Sequence, residues 1–170
     1  MKKILTLCVA VLVAAVSVSA KDYKHSIGMV AGLGIGAQYK TMLSDNFTLI
    51  AELGYFENPD GGTTNTYGFS GYAGVPIANG VFAYQTKPLA EGKGIKMSIY
   101  AGGQMKIGYV LGDLGVFGLG AAGGIEANMT NAPIAFSFDF RPGWAMDFTG
   151  NGVWCHMFDY SFNLGVRYTF

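Results

Sequence analysis

The sequence is poor in cysteine, histidine and charge. Its 170 residues include 2 cysteines and 2 histidines, and charged residues make up 13% of the chain. Cys8 falls in an apolar run near the start, so Cys155 alone is left beyond that run, and one cysteine cannot cross-link a fold internally. His25 and His156 are far apart in the chain, which is a weak basis for a metal site or a catalytic triad. We therefore expect no metal, no cofactor and no catalytic residues.

Neither sign of charge is in excess. Basic and acidic residues number 11 each, and loss of Lys2 and Lys3 with a leader would leave nine basic residues against 11 acidic ones. A chain without a basic excess lacks the electrostatic signature of a protein that binds a phosphate backbone. Nucleic acid is therefore not an expected partner.

Long apolar runs are also missing, except at the start of the chain. Two lysines precede an apolar stretch at 4–16, and Val18-Ser19-Ala20 then matches a small-residue cleavage site. The pattern predicts a signal peptide over residues 1–20, cleaved after Ala20 at a site formed by Val18 and Ala20, and a mature domain over residues 21–170. An uncleaved membrane anchor is the alternative, although the apolar stretch is short for a bilayer span.

What the chain has instead is alternation, which is clearest in its closing stretch, residues 158–170. Even positions there are aromatic or aliphatic, and odd positions are polar, charged or glycine. Because successive side chains of a strand point to opposite faces, this period of two predicts a strand with one apolar and one polar face. Strands of about ten residues with such alternation are typical of a barrel wall in lipid.

The same alternation recurs along the chain and predicts eight strands. They cover residues 26–40, 47–55, 67–75, 81–87, 95–109, 114–128, 134–141 and 158–170. An even strand number with a closing strand is what bacterial single-chain barrels use. The predicted fold class is therefore all-β, an eight-stranded antiparallel up-and-down transmembrane barrel that follows the signal peptide.

A soluble barrel of the lipocalin type is the structural rival, since it would turn the apolar residues inward and the polar residues outward. Long strands, a polar face crowded with glycine, and aromatic residues near strand ends on the apolar face favour the membrane barrel. The aromatic residues are Tyr39, Tyr55, Tyr109, Tyr168 and Phe170.

The strand boundaries also predict which breaks face outside. With both termini in the periplasm, the breaks at 41–46, 76–80, 110–113 and 148–155 face outside, and the longer break at 57–66 faces the periplasm. Barrels of this kind usually have short periplasmic turns and longer outer loops. The predicted arrangement is the reverse of that rule.

Charged residues on the polar face are expected to line the interior. An eight-stranded barrel has room for side chains rather than for a water column, and buried charges persist mainly when they are paired. We expect a structural charge network, with an ion or solute path through the glycine-lined lumen as the alternative. The predicted network consists of Lys40, Glu52, Lys96, Lys106, Glu126, Asp139, Arg141, Asp159 and Arg167.

Two segments carry a family resemblance. The C-terminal Asn163-Leu164-Gly165-Val166-Arg167-Tyr168-Thr169-Phe170 resembles the closing signature of outer-membrane β-barrels, and residues 132–143 resemble the penultimate strand of such proteins. The chain thus looks like a small outer-membrane β-barrel protein of Gram-negative bacteria, of the porin-like OmpA/OmpX type. The resemblance implies a location in outer-membrane lipid, recognition of Leu164, Val166, Tyr168 and Phe170 by the barrel assembly machinery, and a monomer.

Two motifs could suggest chemistry. Residues 118–123 match the glycine-rich dinucleotide fingerprint, but that fingerprint needs a following helix, and here the strand pattern continues. His156 could belong to a lipid-modifying barrel enzyme, but no second member of a triad stands beside it in the sequence. We therefore expect a structural or interaction role without catalysis.

Overall fold

The computed structural model describes residues 23–32, 34–56, 75–92, 94–110, 114–149 and 152–170. These residues form nine strands, and no helix among them is long and apolar enough to cross a membrane. The strands are β1 (His25–Ala31), β2 (Gly34–Met42), β3 (Phe47–Phe56), β4 (Val75–Gln85), β5 (Ala90–Gly92), β6 (Ile95–Val110), β7 (Leu114–Met129), β8 (Ile134–Thr149) and β9 (Gly152–Thr169).

Eight of the strands close into an antiparallel barrel. Their order is β4-β3-β2-β1-β9-β8-β7-β6, and pairing of β4 with β6 joins the two ends. The first and last strands meet between Ser26↔Thr169 and Ala31↔Leu164. β5 adds three residues beside the start of β6, with Glu91 opposite Lys96. The prediction of an all-β, eight-stranded antiparallel barrel is confirmed.

The predicted number of eight barrel strands is right, although the strand boundaries were predicted wrongly in two places. The strand predicted at 26–40 is a hairpin, with β1 and β2 paired from His25↔Thr41 to Ala31↔Ile35. Each pair joins two odd-numbered or two even-numbered residues. Residues that face each other in an antiparallel pair have their side chains on the same side of the sheet. The alternation therefore passes through the turn unchanged and conceals it. Gly32 and Gly34 flank this turn.

The second error lies before β4. The turn predicted at 76–80 is part of that strand, and Pro76 pairs with Tyr55 at its start. Proline is tolerated near the beginning of a strand, and the β4–β6 ladder begins one residue later, at Ile77↔Gly108. The strand predicted at 81–87 therefore belongs to this longer β4. The strand predicted at 67–75 lies outside the described residues except for Val75.

Strands on one side of the barrel are longer than predicted. β8 continues from 141 to Thr149, and β9 begins at Gly152 rather than at 158. The break predicted at 88–94 contains β5. A register shift between Gly143 and Ala145 interrupts the β8–β9 ladder, which is the mark of a β-bulge. Between this point of β9 and its start at Gly152, odd and even positions counted back from the C-terminus therefore no longer indicate which face a residue lies on.

Loop positions also differ from the prediction. The described chain starts and ends at one end of the barrel, where His25 N–H donates to the Phe170 carbonyl at 3.0 Å. The connections 43–46, 86–94 and 130–133 lie at this termini end. The strand ends that flank 57–74, 111–113 and 150–151 lie at the opposite end. The break at 41–46 is thus on the termini side, and the long break that starts at 57 is on the other side, because 26–40 contains two strands.

Candidate functional site

The barrel wall has apolar side chains outside and polar ones inside. Large exposed hydrophobic residues occur on all eight barrel strands, for example Leu53, Phe138 and Leu164. The buried side chains with polar or charged groups come from the alternate positions of the same strands. A water-soluble fold would place these two sets the other way round. The interior of this barrel is therefore the candidate site.

The first interior layer lies near the termini end and is centred on Glu126 of β7. The Lys40 ammonium is 2.6 Å from one oxygen of this carboxylate, and the Arg167 guanidinium donates to the same oxygen. Gln85 and Asn128 each donate to the other oxygen at 3.1 Å. These five side chains come from four strands, because Glu126 and Asn128 both lie on β7. We call Lys40, Gln85, Glu126 and Arg167 the inner layer.

Tyr23, which precedes β1, covers the inner layer from the termini end. Its hydroxyl donates to Glu126, and the Lys40 ammonium lies 3.4 Å from the same hydroxyl and 5.8 Å from the ring centroid. Burial, together with the negative charge of Glu126, raises the pKa of the Tyr23 phenol. The phenol is therefore held in its neutral, donating form.

The second layer lies further along the barrel and is centred on Arg141 of β8. Arg141 donates from both terminal nitrogens to Glu52, at 2.6 and 2.7 Å, and from Nε to Asp139 at 2.7 Å. Tyr100 and Asn163 donate to Asp139 at 2.6 and 2.9 Å. Bidentate pairs between arginine and carboxylate are among the stronger hydrogen-bonded pairs in proteins. We call Glu52, Tyr100, Asp139, Arg141 and Asn163 the outer layer.

Gln38 of β2 connects the two layers. Its amide nitrogen donates to Glu52 at 2.5 Å, and its amide oxygen accepts from Arg167. Two cations face one carboxylate in the inner layer, and one cation faces two carboxylates in the outer layer, so the six charges balance only when both layers are taken together. The connection through Gln38 therefore joins two layers of opposite net charge.

An apolar cluster fills the interior beside the two layers. Ile50, Val81, Ala83 and Ala122 are fully buried around the Tyr100 ring, and they come from β3, β4 and β7. The ring packs directly against Gly124, where a Cβ would lie 2.7 Å from Cζ of Tyr100. The absence of a side chain at Gly124 thus makes room for the Tyr100 ring.

The nine charges predicted for the interior differ in where they lie. Lys40, Glu52, Glu126, Asp139, Arg141 and Arg167 meet in the two layers. Lys96 lies at the termini end, 3.8 Å from Glu91 in a partly exposed pair. The Lys106 side chain lies along Gly118. The Asp159 backbone pairs with Gly143, and its side chain lies outside the described residues.

Several partners of the charges are not members of the predicted charge network. Gln38, Tyr100 and Asn163 share the parity of the predicted charges, so the alternation itself could have identified them. Asn79, which donates to Glu52 at 3.0 Å, and Gln85 belong to β4, whose bounds were predicted wrongly. Tyr23 lies before the first strand, where no periodicity indicates its position.

The remaining predicted residues lie on the outer face or outside the described chain. Leu164 and Val166 are exposed on the outside of β9, and Phe170 is exposed directly after this strand. The Tyr168 ring stacks on Phe170 with centroids 6.0 Å apart. Val18 and Ala20 lie outside the described residues. The glycine-rich fingerprint at 118–123 lies inside β7, and β8 follows it where a dinucleotide site would need a helix.

The described side chains include those of His25 and of the free Cys155. They contain no group of three or more histidine, cysteine or acidic residues that could hold a metal ion. His25 lies beside the hydroxyls of Tyr39, at 2.9 Å, and Thr41, at 3.1 Å. The His156 side chain lies outside the described part of the chain.

Comparison of the chain with known protein families finds no matching family, and comparison with curated protein sequences finds no significant match.

Proposed function

We propose that this chain is an integral outer-membrane β-barrel protein of a Gram-negative bacterium, with a structural or interaction role and no catalysis. The observation that carries the proposal is the apolar outer surface on all eight barrel strands around an interior of paired charges. In lipid every backbone group must be satisfied within the protein, and a closed barrel does this without an edge. The fold and its surface therefore suit a bilayer.

Three further features support this location. The predicted signal peptide would deliver residues 21–170 beyond the inner membrane. The apolar side chains at the end of β9 suit recognition by the barrel assembly machinery. With the termini in the periplasm, the ends of β3 and β4 that flank residues 57–74 face outside, and this is the longest interval between consecutive described strands. Such barrels usually have their longer intervals between strands on the outer side. We propose that the chain acts there as a monomer.

A structural role is favoured over conduction by the filled interior. Arg141 and Glu52 are both buried, and their pair crosses the lumen between opposite walls. The inner layer crosses it a second time, through Lys40 and Glu126. A water-filled path would have to separate both pairs, which is costly because separation leaves buried charges unpaired.

Cysteine labelling on intact cells tests location and orientation together. Cys155 is exposed near the end of the barrel opposite the termini, and Leu89 is exposed at the termini end. We expect a membrane-impermeant maleimide to label Cys155 on intact cells. In a Cys155→Ser background, Leu89→Cys should be labelled only after the outer membrane is permeabilised.

Labelling of Leu89→Cys on intact cells together with protection of Cys155 would reverse the proposed orientation. A chain that stays in the soluble fraction after cell lysis would refute the membrane location. Planar bilayer recording separates the structural role from conduction, because we expect no reproducible single-channel steps. Steps that disappear when the inward Gly120 is replaced by leucine would establish the channel alternative.

A further inference from the structure

A cavity of about 620 Å³ opens at the termini end of the barrel. Its wall is formed by Tyr23 and Lys24, the β2–β3 turn at 43–45, residues 85–88 and 91 around β5, and residues 128–130 at the end of β7. Cavities of this volume are typical of sites for small molecules. We call this cavity the cup. It lies on the opposite side of the inner layer from the outer layer.

The lining of the cup contains one more cationic than anionic side chain. Three lysines line it, Lys24, Lys87 and Lys96, against the carboxylates of Asp45 and Glu91. The inner layer beneath it adds two cations and one carboxylate. Among the described residues, five cationic side chains thus surround the cup and its base against three carboxylates. Lys24 and Lys87 are exposed, so the field of this excess reaches the cup mouth.

A buried acceptor without a partner lies at the base of the cup. Asn128 lines the cup, and its Nδ2 donates to Glu126 at 3.1 Å. This bond fixes the orientation of the amide, because a flipped amide would direct its oxygen at the carboxylate. The Asn128 Oδ1 is buried and has no hydrogen-bond partner within the described structure. Such an atom calls for a donor, since a buried polar group without a partner is costly.

We propose that the cup binds a small organic anion that also carries a hydroxyl group. Lys24 and Lys87 attract the anionic group at the mouth. The side chains that cover Asn128 Oδ1 move aside when the ligand binds, and the hydroxyl then donates to this oxygen at the base. The ligand enters from the compartment that holds the termini. This site is independent of the membrane location, because its walls and charges belong to the barrel itself.

Pyranine, a hydroxypyrene with three sulfonates, is a suitable probe because it is anionic, carries a hydroxyl and is fluorescent. The full-length mature chain is refolded in a nonionic detergent, and pyranine anisotropy is followed as the protein is added at low salt. We expect saturable binding that is roughly tenfold weaker in Lys24→Gln/Lys87→Gln, because each substitution removes one nearby charge. Asn128→Ala should weaken binding about threefold or more, as expected for loss of one hydrogen bond.

Lys106→Gln is the matched control. It removes the same charge from the same barrel, but ten residues along β6 from Lys96, which is about 30 Å at the rise of a strand. We expect this variant to bind as the wild type does. Gluconate, a hydroxylated anion, should displace pyranine, and glucose, which has the hydroxyls without the charge, should not.

Absence of saturable binding would overturn the proposal. So would an equal loss of affinity in Lys106→Gln and in the double variant, because the effect would then reflect overall charge. Displacement by glucose as strong as by gluconate would show that the cup does not select for an anion. Circular dichroism of each variant shows whether the barrel is intact, and the exposed Lys24 and Lys87 can be replaced without disturbing the interior.

Discussion

Arg141 and Glu52 join opposite walls of the barrel. Arg141 lies on β8 and Glu52 on β3, and three strands separate these two in either direction around the barrel. The guanidinium donates two hydrogen bonds to the carboxylate, at 2.6 and 2.7 Å. Lys40 and Glu126 have the same relationship across β2 and β7. Two buried ion pairs therefore connect opposite sides of the barrel wall across its interior, in addition to the pairing between neighbouring strands.

Replacement of Arg141 by methionine should be strongly destabilising. It leaves Glu52 and Asp139 buried beside each other without their cation, and loss of one member of a buried pair costs about 3–5 kcal/mol. Urea unfolding of the barrel in phospholipid vesicles, followed by circular dichroism, measures the change. Glu91→Gln is the control, because its pair with Lys96 is partly exposed and should contribute at most about 1 kcal/mol. Similar losses in the two variants would contradict the role of the buried pair.

Replacement of Gly124 by alanine should also destabilise the barrel. The added Cβ would lie 2.6 Å from Cβ of Asp139 and 2.7 Å from Cζ of Tyr100, so the outer layer must shift, at a cost of about 1–3 kcal/mol. Gly80→Ala is the matched substitution, because nothing lies within 4 Å of the Cβ position there. We expect no loss of unfolding free energy for Gly80→Ala in the same urea assay. An unchanged Gly124→Ala variant would show that the Tyr100 ring is not closely seated.

Replacement of Phe138 by lysine tests whether the outer wall of the barrel faces lipid. Phe138 is exposed on the outside of β8, and a lysine near the middle of a bilayer costs about 2–4 kcal/mol. Leu89→Lys is the control, because Leu89 is also exposed but lies in the β4–β6 connection at the termini end. We expect lower folding yield in vesicles for Phe138→Lys alone. Equal folding of both variants would argue for the soluble barrel.

Tyr23→Phe should reduce stability and change its dependence on pH. The substitution removes the hydrogen bond to Glu126, and a bond to a charged group contributes about 1.5–3 kcal/mol. The pKa of Tyr23 is raised in the folded chain, so its stabilising effect is complete below the ordinary tyrosine pKa of about 10 and is lost as pH rises further. The difference in unfolding free energy between wild type and Tyr23→Phe should therefore shrink above about pH 10. A difference that grows with pH would contradict this assignment.

Strand character was predictable from the sequence, whereas strand boundaries were predictable only in part. The alternation identified β3, β6 and β7 closely, because their ends coincide with turn residues or breaks in the pattern. It failed at the β1–β2 turn, where odd residues face odd residues and the pattern continues across the turn. It failed again at Pro76, where a residue typical of turns occupies the start of a strand.

The residues of the candidate site were likewise predictable only in part. Parity correctly identified six charged residues that meet in the interior. It also selected Lys96, which lies beside Glu91 at the termini end of the barrel and not in the two layers. Parity also places the partners Gln38, Tyr100 and Asn163 on the inner face. It could not place Tyr23, which lies outside every strand, or Gln85, which lies on a strand whose bounds were wrong. The cup was not predictable at all, since it is formed by residues from five separate parts of the chain.

The sequence by itself determined that the chain forms two-faced strands and which residues share a face in the regular ones, because side-chain direction alternates with every residue of a strand. Only the tertiary structure decided that Arg141 meets Glu52 and that Lys40 meets Glu126. Those meetings depend on how the sheet closes and on the stagger of its strands, which are properties of the whole barrel. A local period of two contains no information about which residue lies across the lumen.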